Sequence, residues 1–200
     1  MEFLFPDTSP VELLPHDGRA VYFGTVFAAE TSDRLFSELE KSIPWRNDVI
    51  KMFGKEIVTT RKVAWFGDRP FEYAYSGHTH HALPWTAALI EIKEKAEEKC
   101  LTDFNACLLN LYHHGNEGMG WHSDDEVELD PVAPIASVSL GAARKFSFKH
   151  KEVKTGVSLQ LNHGSLLMMD AKSQQHWLHS LPKSRKTLMA RINLTFRRMR

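Results

Sequence analysis

The second half of the chain constrains the fold most. From residue 105 onward it breaks into short runs, NACLLNLY, PIASVSL, RKFSFKH, GVSLQL, GSLLMMD and LMARINLTFR, each apolar or alternating and set off by Gly, Pro, Asn or Asp. Short runs with a two-residue period are strands, and this spacing is the pattern of an antiparallel all-β unit: a sandwich, jelly roll or barrel. Two helices are expected ahead of them. TSDRLFSELEKSI repeats Leu35, Phe36, Leu39 and Ile43 at helical spacing behind a Thr31/Ser32 cap. PWTAALIEIKEKAEEK places Pro84 in a first turn and carries Trp85, Ala88, Leu89, Ile92 and Ala96 as a stripe. Helices in front and strands behind predict an α+β arrangement, mainly β, with flanking helices packed on one face of a β core. No internal repeat or long linker divides the 200 residues, so one domain is expected.

Charge decides little in bulk, because 25 basic and 25 acidic side chains cancel. Its distribution says more. Residues 183–200 carry Lys183, Arg185, Lys186, Arg191, Arg197, Arg198 and Arg200 with no acid, and residues 144–154 are basic apart from Glu152. Such clusters suit phosphate as well as open solvent. Cys100 and Cys107 form neither a disulfide framework nor a zinc-ribbon spacing, which points to a reducing compartment. MEFLFPDTSP lacks a basic leader region, and no apolar run approaches the roughly 18 residues of a membrane helix; a soluble protein with no membrane association is expected.

The chemistry concentrates in NLYHHGNEGMGWHSDDE, residues 110–126. If NACLLNLY is a strand, His122 and Asp124 lie in or beside the next extended segment, where a two-residue period puts both side chains on one face. A lone H-x-D is weak evidence and needs a third ligand. QQHWLHSLPKSRK offers His176 and His179. Two histidines and one carboxylate with open positions form the facial triad of a non-haem Fe(II) oxygenase. The last run supplies a second requirement. Alternation in ARINLTFR sets Arg191, Asn193, Thr195 and Arg197 on one face, and arginines turned into a β core need an anionic partner.

NLYHHGNEGMGWHSDDE, PIASVSLGAARKFSFKH, HGSLLMMD, HWLHSLPK and RINLTFR together resemble, in order and over residues 53–198, the AlkB-type Fe(II)- and 2-oxoglutarate-dependent dioxygenases. The likeness is greatest to the branch that repairs alkylated double-stranded DNA. The resemblance implies a double-stranded β-helix (jelly-roll) core, about residues 101–200, beneath an N-terminal extension with helices and a nucleotide-recognition lid in about residues 1–100. It implies that His122, Asp124 and His179 ligate Fe(II), that Arg191 pairs with the far carboxylate of 2-oxoglutarate, and that Arg197 sits nearer the metal. Asn110, Tyr112 and Asn193 match further cosubstrate contacts, and His176 is the histidine of its pair that does not bind metal. In the lid, Tyr73 and Tyr75 would contact a flipped base, with Arg61, Asp125 and Glu126 close by. Phe53, beside Met52, would fill the gap left by that base.

The implied reaction is oxidative demethylation of N1-methyladenine and N3-methylcytosine in DNA, with 2-oxoglutarate and O₂ converted to succinate and CO₂ and the methyl group leaving as formaldehyde. A monomer is implied, cytoplasmic in a bacterium or nuclear in a eukaryote. Phosphate contacts are expected from Arg144, Lys145, Lys149, Lys183, Arg185 and Lys186. Two rival readings stand beside it: the same chemistry on RNA or protein, and a cupin-like metal-binding module without turnover.

Overall fold

In a computed structural model, which describes residues 9–52, 55–75 and 78–200, the alternating runs form two antiparallel sheets packed face to face. The larger has the strand order β1 (Val11–Glu12), β2 (Ala20–Thr25), β12 (Ser165–Met169), β9 (Ile135–Gly141), β14 (Arg191–Arg197), β7 (Ala106–Tyr112), β4 (Lys55–Gly67) and β3 (Arg46–Met52). The smaller runs β11 (Gly156–Leu161), β10 (Arg144–His150), β13 (Trp177–Leu181) and β8 (Met119–His122). A separate ladder pairs β5 (Glu72–Tyr75) with β6 (His78–His81). The architecture is a mainly β, jelly-roll type of fold, as the sequence predicts.

Two-residue periodicity sorts the side chains of the large sheet into two layers. On β14, Ile192, Leu194 and Phe196 join the core under α1 (Ala29–Ser42) and α2 (Ala87–Cys100), together with Leu35, Leu39, Leu89 and Ile92. Those four helix residues are 0% exposed, and each such side chain contributes ~1.5–3 kcal/mol through burial. The opposite face meets the small sheet in a second core of Tyr112, Ile135, Phe146, Phe148, Leu167 and Trp177.

Three expectations need correction. The first helix begins at Ala29 with no side-chain cap, and Ser32 is buried inside it. The second begins at Ala87, so Pro84 lies ahead of its first turn, and Thr86 caps it: its hydroxyl accepts from the Leu89 N–H at 3.3 Å. Strands also come from the front of the chain, because β2 and β4 complete the large sheet beside β12 and β7. Ahead of β13 lies α3 (Ala171–His176), capped by Asp170 through the Ser173 N–H at 2.7 Å. Among the described residues, no helix is long and apolar enough to cross a membrane.

Candidate metal and cosubstrate site

The small sheet brings the two histidines together. His122 at the end of β8 stands opposite His179 on β13, with ring centroids 4.2 Å apart. Phe146 of β10 stacks on His179 at 5.5 Å and helps hold its ring. The Gly120 carbonyl can only accept, so the His122 Nδ1 at 2.9 Å carries the proton and Nε2 keeps a bare lone pair. Metal-binding imidazoles are oriented in this way. Asp124 follows two residues after His122, its Oδ1 3.8 Å from that Nε2. One donor atom from each of His122, Asp124 and His179 lies within 4.8 Å of the other two.

Arg197 comes from the opposite sheet and closes on the carboxylate, with Nη2 2.9 Å from Asp124 Oδ2. Burial pushes the Asp124 carboxyl up, but Arg197, His179 and His122 outweigh burial and hold it at about 2. Burial lowers His179 to about 4, partly opposed by Asp124. At neutral pH the cluster therefore presents one ionised carboxylate and a neutral His179 imidazole, the donor set that a divalent transition metal with open positions requires. Behind it, the Asp124 N–H donates to Gln174 Oε1 at 3.0 Å, and Gln174 donates to Ser173 Oγ at 3.1 Å. This buttress from α3 has no signal in the sequence, since the two partners are 50 residues apart.

The cluster sits against a cavity of about 500 Å³. Of the residues singled out by sequence, Arg61, Asn110, Tyr112, Glu126, Asn193 and Arg197 line it with the three candidate ligands. Asn193 donates to Ser137 Oγ at 3.1 Å, whereas Asn110 Oδ1 is buried and finds no partner among the described residues. Arg191 lies deeper, 1% exposed, with Nη2 donating to Ser139 Oγ at 2.9 Å. Its Nε and Nη1 have no acceptor among the described residues. Burial pulls its guanidinium down to about 10. Unsatisfied buried guanidinium N–H groups fit the far carboxylate of a dicarboxylate ligand.

Other assignments fall elsewhere. Asp125 is exposed and accepts from Ser123 Oγ at 3.1 Å, facing a second, smaller depression behind Asp124. Phe53 lies outside the described residues, and Tyr73 and Tyr75 belong to β5 with side chains outside the description. Lys145, Lys149, Lys183, Arg185 and Lys186 are exposed, but Arg144 is 1% exposed and cannot reach a phosphate. Trp121, 46% exposed next to His122 and 5.0 Å from the Lys149 ammonium, escaped the sequence reading.

A second histidine group was also missed: His16, Asp17 and His150 gather near Trp177. His150 Nδ1 accepts the Glu152 and Val153 N–H groups, both at 3.1 Å. The neutral ring therefore carries its proton on Nε2, which faces Asp17 at 3.5 Å, and that nitrogen has no lone pair for a metal. His176 stacks on His150 at 6.2 Å, away from the ligand cluster.

Known proteins resemble this chain in both sequence and fold. Residues 19–197 match the model of the 2OG-Fe(II) oxygenase superfamily. The chain is 39% identical to the human DNA oxidative demethylase ALKBH2 over 194 residues, covering 92% of this chain and 74% of that protein. The mouse protein of the same name is 38% identical, with 92% and 81% covered. Human alpha-ketoglutarate-dependent dioxygenase alkB homolog 3 is 35% identical over 190 residues, 88% of this chain and 64% of that one. The solved structure of OsALKBH1 shares the fold, with a TM-score of 0.62 and 14% identity over 93% of this chain and 99% of that chain. With a His-Asp-His cluster over a jelly-roll core and a family match along most of its length, the chain belongs to the 2OG-Fe(II) oxygenase superfamily, with Fe(II) as its metal and 2-oxoglutarate and O₂ as cosubstrates.

Proposed function

We propose that this chain repairs alkylated DNA, removing the methyl groups of N1-methyladenine and N3-methylcytosine oxidatively. The observation that carries the reading is the buried, ionised Asp124 between two imidazoles at the wall of a cavity of about 500 Å³. The identity to proteins named DNA oxidative demethylase supports the substrate class.

His122, Asp124 and His179 would hold the metal, and Arg197 keeps Asp124 ionised and oriented. Arg191 receives the far carboxylate of 2-oxoglutarate, over a bed formed by Asn110, Tyr112 and Asn193. Fe(II) bound there with 2-oxoglutarate and O₂ would supply the oxidant, with one oxygen atom going to the methyl C–H bond and the other to succinate as CO₂ leaves. The resulting N-hydroxymethyl base expels formaldehyde and regains its native nitrogen.

Reaching the metal requires the base to leave the stack, and a lesion that spoils pairing is the cheapest to extrude. Arg61 and Glu126 at the cavity wall, Asp125 outside it, and Tyr73 and Tyr75 receive the base, while Phe53 occupies the vacated gap. Residues 1–200 act as one domain and as a monomer, the front of the chain adding this lid to the jelly roll. Exposed Lys145, Lys149, Lys183, Arg185 and Lys186 contact phosphates.

The test is mass spectrometry of N1-methyladenine and N3-methylcytosine oligonucleotides, single- and double-stranded, incubated with protein, Fe(II), 2-oxoglutarate, ascorbate and O₂. Loss of one methyl mass that disappears without 2-oxoglutarate is the expected result. Succinate formation with intact methyl groups in every oligonucleotide would move the substrate to RNA or protein.

A further inference from the structure

Arg144 has no role in the chemistry described so far, and its surroundings are unusual. It projects from β10 into the molecule, where its Nη2 lies 2.8 Å from the Glu117 carbonyl, 3.0 Å from that of Pro182 and 3.4 Å from that of Gly115. Its Nε and Nη1 have no acceptor among the described residues. The guanidinium carbon stands 5.9 Å from the centre of the Tyr112 ring, and that of Arg191 stands 5.5 Å from the same ring. Both arginines are 1% exposed. Two like charges thus converge on one phenol from opposite sheets, each with two N–H-bearing nitrogens unsatisfied. The buried Glu117 carboxylate acts on Arg144 and partly offsets its burial, but two buried guanidinium groups with open N–H donors still favour a further anion.

We propose that Arg144 is a second cation of the 2-oxoglutarate pocket: it selects a cosubstrate with a far carboxylate and positions Tyr112 against that group. Arg191 pairs with the carboxylate directly. Arg144 adds its charge across the Tyr112 ring, and through three carbonyls it ties the turn at residues 115–117 to the segment after β13. Gly115 makes this tie close, since a Cβ there would collide with the Ser184 carbonyl oxygen. The inference rests on the family's cosubstrate and is independent of the nucleic-acid substrate.

The experiment is calorimetric titration, without O₂ or DNA, of the full chain loaded with Mn(II). The titrants are 2-oxoglutarate and 2-oxopentanoate, which has the same carbon chain and lacks the far carboxylate. Arg144→Met is expected to weaken 2-oxoglutarate binding by about tenfold or more and to change 2-oxopentanoate binding by less than about threefold. In turnover, the KM for 2-oxoglutarate should rise by more than kcat falls. A purely structural arginine would weaken both ligands alike, and that result, or unchanged affinity for 2-oxoglutarate in folded Arg144→Met, overturns the proposal. Should Arg144→Met fail to fold, Arg144→Lys keeps the charge: preference for 2-oxoglutarate over 2-oxopentanoate should persist, and its loss would contradict the role. A wild-type protein that binds neither ligand would instead refute the cosubstrate assignment itself.

Discussion

The two faces of the large sheet are built from the same strands and do opposite work. Toward the helices, β14 sends Ile192, Leu194 and Phe196 into a core at 0% exposure. Toward the small sheet, the same strand sends Arg191, Asn193, Thr195 and Arg197. One face stabilises the fold by removing apolar surface from water. The other is costly to keep: it buries Arg191, whose Nε and Nη1 find no acceptor among the described residues. Parity alone thus lets a strand of seven residues separate stability from chemistry.

Substitutions on the two faces should have different consequences. The largest effect belongs to Asp124→Ala, which removes the only anionic member of the ligand cluster; demethylation should fall on the order of 10³-fold, about 4 kcal/mol of barrier. Arg197→Met should follow, because removing one partner of a buried pair costs about 3–5 kcal/mol, measured as a shift in the denaturant midpoint, and Asp124 should then titrate higher. On the opposite face, Leu194→Ala should cost ~2–5 kcal/mol of stability, while the folded fraction binds Fe(II) with near wild-type affinity.

Acidification separates the faces without mutation. His179 is held at about 4 in the folded metal-free protein, against 6.5 ordinarily. The unfolded chain therefore takes up its proton first as pH falls, and stability present above about pH 6.5 is lost progressively down to about pH 4. Asp124, depressed from 3.8 to about 2, adds a further loss below pH 3.8. Thermal midpoints of metal-free protein across this range would show it, and Fe(II), by binding the deprotonated forms, should raise the midpoints and extend the loss to lower pH. The smallest expected effect is on DNA affinity: Lys145→Ala with Lys149→Ala should lower the slope of log K against log salt by about 1–2.

Much of this division was readable in advance. The alternation of RINLTFR and ACLLNLY predicts which side chains face the site, and it does so because both strands are central and their helix-side positions are uniformly apolar. Strands β3 and β4 were not recognised: RNDVIKM and KEIVTTRKVAWFG carry charges near the sheet edge, where solvent removes the apolar period. Arg144 is more instructive. As part of a basic run it looked like a phosphate contact, yet it shares parity with Phe146 and Phe148, which are core, while Lys145 and Lys149 take the outer parity. Period-two reading would have placed it inside. The Gln174 buttress and the His16, Asp17 and His150 group were beyond such reading, because distant segments create them only on folding.

The measurement that tests the division most directly is the methyl-loss rate on N1-methyladenine DNA, per folded molecule, for wild type, Leu194→Ala and Asp124→Ala. Wild type and Leu194→Ala should differ by less than about fivefold, while Asp124→Ala falls on the order of 10³-fold. Comparable losses in Leu194→Ala and Asp124→Ala, or normal turnover without Asp124, would contradict a site confined to the inward face.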